Sequence, residues 1–223
     1  MVRLKLYMTV LLFTSILIAG CSSRYINTVW KNDHAFPGKY NKILVAAVVD
    51  NNTDTIFRRE IENHFKESLE SMGYPSVSAL AAFGPGGLKD LGQEDTYIKL
   101  CDKGIDAIIT IALNDKEKTG GTEPHLSYTQ PVKYYYSRIW HYKELQSQQL
   151  LAANSDSLLK YSWEMILFDL STLQPHYIAQ TRTTDGNVHQ SLHDEFWNAF
   201  LKKLRKDRFL KNRPPVTSGT KAF

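Results

Sequence analysis

The sequence predicts an α/β protein: a mixed, mostly parallel sheet built by a βαβαβ first half, followed by an antiparallel hairpin and a C-terminal amphipathic helix. Three observations carry this. Residues 42–50 and 106–113 are continuous apolar runs rich in Ile, Val and Ala, the pattern of strands covered on both faces. Between them the apolar residues fall at helical spacing. Later, residues 161–168 and 177–184 form two strand-like runs separated by a polar turn.

Each element follows in order. After the run 42–50 comes a polar turn at 51–54, where Thr53, Asp54 or Thr55 can cap a helix. That helix carries Phe57, Ile61, Phe65, Leu69 and Met72 on one face and stops at Gly73. Residues 75–82 read as a weaker strand, and 94–103 as a short helix closed by Gly104. Strand–helix–strand–helix–strand with buried strands implies right-handed crossovers and parallel pairing. Residues 114–131 read as loop. Residues 134–142 alternate well enough for a strand, and 144–157 are polar. The turn of the late hairpin is placed at 169–175. The last helix, about 188–208, is marked by Leu192, Phe196, Phe200 and Leu204 and is basic at its end, where cations complement the helix dipole.

The first 20 residues differ from all of this. Arg3 and Lys5 precede an apolar run over 6–18, too short to span a bilayer comfortably, and Ile18-Ala19-Gly20-Cys21 follows. Those four residues resemble the lipobox of bacterial lipoproteins. The resemblance implies that the Cys21 sulfur receives a diacylglyceryl group, the peptide is cut before it, and the new amino group is acylated. Two or three acyl chains make attachment effectively permanent, since each buried CH₂ contributes about 0.8 kcal/mol. By the sorting pattern of that family, Ser22 in place of Asp implies the outer membrane, with the inner membrane or the cell surface as the alternatives. The absence of acidic residues in Ser22-Ser23-Arg24 implies its periplasmic face. Residues 21–41 then form the lipidated cysteine and a short polar tether, whose flexible span is about 25 Å. Residues 42–209 form one domain with an aromatic-rich insertion near 119–157, and 210–223 a disordered tail.

A second resemblance lies in the domain. The strand Lys42-Ile43-Leu44-Val45-Ala46-Ala47-Val48-Val49-Asp50, the helix ending at Gly73-Tyr74, and the run Gly104-Ile105-Asp106-Ala107-Ile108-Ile109-Thr110-Ile111 are similar to features of one group of envelope lipoproteins. So is the late hairpin with its Leu-Ser-Thr-Leu-Gln turn. That group resembles the N-terminal domain of the Tol-system translocation protein, and includes the curli-secretion lipoprotein and the lipoprotein activator of penicillin-binding proteins. The resemblance covers roughly residues 42–206. It implies a non-catalytic α/β domain that binds envelope proteins in assembly or secretion. The tether is too short to cross peptidoglycan as the activator's does, so no specific activity carries over. A peptidoglycan- or glycan-binding module and an envelope hydrolase are the alternative readings.

Composition narrows the partners. Removing residues 1–20 takes Arg3 and Lys5 away, so the formal charge of +4 falls to +2 over 203 residues, too mild to suggest nucleic acid. With Cys21 lipidated only Cys101 remains, so no internal disulfide forms. Cys101 sits among Tyr97, Ile98 and Leu100 and reads as a buried, inert thiol.

No motif for catalysis, cofactor or metal emerges. In Gly84-Pro85-Gly86-Gly87-Leu88-Lys89 a leucine separates glycine from lysine and Pro85 lacks an amide donor, so this is no phosphate loop. No glycine fingerprint follows Asp50. His189 and His193, four apart with Asp194 and Glu195 beside them, can share a helix face and hold zinc given a third ligand, but they lack the glutamate placement of a His-Glu-x-x-His protease and read as solvated. The strongest binding candidates are Tyr134, Tyr136, Trp140 and Tyr142, with Tyr135 among them, because large rings dominate protein hot spots and sugar platforms. The cations Lys202, Lys203, Arg205, Lys206, Arg208, Lys211 and Arg213 read as a solvated helix face, with anionic headgroups as the rival partner.

Overall fold

The strand Ile43–Val48, β2, is buried at all six positions, as a continuous apolar run requires when both faces are covered. A computed structural model describes residues 26–34, 40–48, 55–85, 93–115, 160–181, 184–185 and 194–214. In it β2 pairs in parallel with β3 (Ser76–Ser78) on one side and with β4 (Ala107–Asp115) on the other. Helix α1 (Thr55–Ser71) connects β2 to β3, and α2 (Ala79–Phe83) and α3 (Gln93–Asp102) lie between β3 and β4. This is the expected βαβαβ half.

From β4 onward the pairing is antiparallel. β5 (Lys160–Asp169) runs back along β4 in unbroken register from Asp115↔Tyr161 to Ala107↔Asp169. β6 (Gln174–Thr181) returns along β5, and the two-residue β7 (Thr184–Asp185) pairs with Lys160 and Tyr161. β1 (Ile26–Lys31) closes the edge against β6, which gives the order β1-β6-β5-β4-β2-β3. Helix α4 (Asp194–Lys206) is the last regular element among the described residues.

Alternation along the strands splits the core in two. Ile43, Val45, Ala47, Ile109, Ile111, Trp163, Met165, Leu167 and Tyr177 meet Ile61, Phe65 and Leu69 of α1 and Trp197, Phe200 and Leu204 of α4. Trp197 is the hub, with ring centroids 5.2 Å from Phe65 and 6.1 Å from Trp163, both edge-on. Each such large side chain contributes about 1.5–3 kcal/mol by leaving water. Leu44, Ala46, Ile108, Ile166, Phe168 and Ile178 form the other face, covered more thinly by Ala79, Leu100 and Ile105.

Several expectations are corrected. The tether ends sooner than predicted, because residues 26–31 are a sheet strand hidden by their polar neighbours. The predicted strand 75–82 stops at Ser78, whose side chain accepts from the Ala81 amide and caps α2 instead. Pro175 stands inside β6, at a register shift opposite Leu167 and Phe168, where a strand tolerates a missing donor. The tail also starts later. Leu210 is buried, and the Arg213 amide donates to the Met72 carbonyl at 2.9 Å. This docking explains Gly73, whose φ is +83° and where a Cβ would lie 2.7 Å from the Arg213 carbonyl oxygen.

Candidate functional site

Most of the residues singled out in the sequence, Cys21, Tyr134, Tyr136, Trp140, Tyr142, His189 and His193, lie outside the described residues. The register still fixes where the chain leaves for them. Asp115 pairs with Tyr161, and Ile26 pairs with Thr181 two positions further into the sheet. The carboxyl ends of β2 and β4, the start of β5 and the start of β1 therefore share one end of the sheet. The segment 116–159 departs from that end and returns to it, and Cys21 stands five residues before Ile26.

Of the stretch beginning at Gly84, only Gly84 and Pro85 are described. Gly84, at φ +74°, ends α2 with its amide on the Leu80 carbonyl, a helix-stop role. Cys101 corrects the prediction directly: it is exposed. α3 buries Thr96 and Leu100 and turns Tyr97, Ile98 and Cys101 outward, so the apolar neighbours misled.

The ionisable groups inside the fold are tied to structure. Glu62 is fully buried, and its two oxygens accept from four donors. Arg58 Nε at 2.8 Å and the Ala47 amide at 3.1 Å reach one oxygen; Ser78 Oγ and the Leu80 amide, both at 2.8 Å, reach the other. A carboxylate so saturated joins β2, β3, α1 and α2, and has no lone pair to spare for proton transfer.

At the opposite sheet end, Tyr40 Oη meets His176 Nδ1 at 2.8 Å. Burial pushes the Tyr40 phenol up, with the Asp169 charge adding to it. Burial also lowers His176, while Asp169, 3.7 Å away, works against that shift. Tyr177 donates to Asp207 at 2.8 Å, and Lys31 pairs with the same carboxylate at 2.9 Å. Burial raises Asp207, but the bonds from Lys31 and Tyr177 and the charge of Lys203 outweigh it and hold the carboxyl below its usual range. The buried imidazole against a buried phenol ties the start of β6 to the segment before β2.

The basic residues divide. Arg213 stacks on Tyr74, 4.2 Å from the ring centroid, and donates to the Tyr40 carbonyl at 2.6 Å. Lys203 reaches Asp207 at 3.5 Å. Lys202, Arg205, Lys206 and Lys211 instead line an open groove of about 820 Å³ with Ser68 and Ser71, between the C-terminal ends of α1 and α4. The cations are legible in the sequence but the groove is not, because α1 and α4 are far apart in the chain. Four cations and two hydroxyls suit a hydroxyl-rich or anionic partner. Among the described residues, no three His, Cys, Asp or Glu side chains gather to hold a metal ion, and no helix is long and apolar enough to cross a membrane.

No family model and no curated protein matches the chain. Among solved structures it is similar to PelC from Paraburkholderia phytofirmans, a dodecamer, in two crystal forms. The TM-scores are 0.39 and 0.38 at 12% identity, over 83% of this chain and 99% of that one. Similarity this remote assigns no function.

Proposed function

We propose that this chain is a lipoprotein held by fatty acids on Cys21 at the periplasmic face of the outer membrane, whose α/β domain binds envelope proteins during assembly or secretion without doing covalent chemistry. The observation that carries the reading is the leader itself: a basic start, an apolar run and Ile18-Ala19-Gly20-Cys21. The fold is compatible with a binding role, since Glu62 and Asp207 are each consumed by structural bonds. Tyr134, Tyr136, Trp140 and Tyr142 are the proposed contact residues. Crosslinking in intact cells followed by recovery of the chain tests this reading. Wild type captures a specific envelope protein and Trp140→Ala captures much less of it; capture of none contradicts the reading.

The basic groove favours one second reading, a glycan-binding module for acidic saccharides. Pelleting with peptidoglycan separates the two. Loss of co-sedimentation in a Lys202→Ala, Arg205→Ala double variant supports glycan binding, and unchanged partition removes it.

A further inference from the structure

We infer that the sheet end where β1 starts is the surface that faces the lipid leaflet, its partner being a phospholipid headgroup layer. The inference rests on the anchoring reading above. Five peptide steps separate Cys21 from Ile26, and fully extended they reach at most about 18 Å. The anchor therefore holds the start of β1 close to the bilayer. β1 runs away from that point, so Lys31 lies about 17 Å deeper into the domain.

A second observation agrees. Ile56, at 73% exposure, is the most exposed of the large apolar side chains among the described residues. It stands at the start of α1. That helix ends at Ser71, and Gly73 and Tyr74 lead into β3 beside the beginning of β2, so α1 runs antiparallel to β2 and its first turn lies at the Ile26 end. The cations are at the other end. Asp207, held by Lys31 and Tyr177, places the last turn of α4 beside the finish of β1 and the start of β6. The groove lined by Lys202, Arg205 and Lys206 consequently lies toward the end away from the leaflet, against the headgroup role their charge suggests.

The test uses the full lipidated chain in vesicles of phosphatidylethanolamine and phosphatidylglycerol doped with a nitroxide on the headgroup. Because Cys101 is exposed, Cys101→Ser is the background. Single cysteines at Ile56→Cys, in the proposed facing end, and at Thr172→Cys, in the exposed β5–β6 turn at the other end, carry a fluorescent dye. The dye at 56 loses most of its emission to the nitroxide while the dye at 172 keeps its own. Equal loss at both positions means a domain lying on its side, and greater loss at 172 means the basic end faces the lipid; either overturns the orientation. Flotation of the same samples separates the causes. Protein that floats with the vesicles but shows the wrong quenching refutes the orientation alone, whereas lipid-extracted chain that does not float refutes the anchor and the orientation together.

Discussion

The two ends of the sheet hold their charges in different ways. Toward the Ile26 end two carboxylates are fully buried: Glu62 takes four hydrogen bonds from two strands and two helices, and Glu164 accepts from Gln180. At the opposite end the work is spread. Asp106 accepts from the Asn41 and Lys42 amides, Asp169 from the Ser171 and Thr172 amides, and Asp207 from Lys31 and Tyr177. The reason lies in the connections. The far end is closed by tight turns, which nearby acids can stitch. The Ile26 end gives off the segments 49–54 and 116–159, so its strands must be tied from within.

That contrast can be broken by mutation. Glu62→Ala should be the most damaging change, costing about 3–5 kcal/mol, because it breaks the buried ion pair with Arg58 and takes the acceptor from the Ala47 and Leu80 amides and the Ser78 hydroxyl. A chemical-denaturation midpoint measures it, and a loss below about 1 kcal/mol would mean that the buried node is dispensable. Gly73→Ala comes next, at about 1–3 kcal/mol, since the residue has a positive φ and abuts Arg213. Leu210→Ala should partly relieve it if tail docking is the cause, so the double variant measures the coupling. Asp106→Ala should cost only about 1 kcal/mol, as its bonds to Asn41 are solvent-exposed and a water can replace them, leaving only the part-buried bond from the Lys42 amide to lose. A larger loss would show that the far end also depends on one node.

His176 adds a pH dependence confined to the far end. Its folded pKa lies below the usual 6.5, so the unfolded chain binds the proton first as pH falls. Stability is therefore lost as pH drops below about 6.5, and rises again toward neutrality. Thermal melts of wild type against His176→Gln should show a flatter acid limb in the variant; identical limbs would assign the slope to other groups. The smallest effect is expected at Cys101. Cys101→Ser should change stability by less than about 0.5 kcal/mol, and the native thiol should react with a maleimide without denaturant.

Much of the fold was legible because burial writes itself into composition. Ile43–Val48 and Ala107–Asp115 announce themselves as apolar runs, and Ile61, Phe65 and Leu69 as a helix face. β1 was not legible, although Ile26, Thr28, Val29 and Trp30 are strand formers. Its stability comes from pairing with β6, some 150 residues later, which no local window contains. The exposure of Cys101 was missed for a related reason. An apolar neighbourhood in sequence does not say which stripe of a short helix meets the sheet, and here Leu100 does. Of the candidate sites, the basic groove needed α1 and α4 side by side before it existed. Glu62 looked like any surface glutamate until Ala47 and Leu80 converged on it.

The most direct test of the central claim is the intact mass of the chain made by cells and extracted with detergent. The expected polypeptide begins at Cys21 and carries a diacylglyceryl thioether plus an amide-linked acyl chain. A mature chain cut at another position, or one beginning at Cys21 with an unmodified thiol, contradicts it.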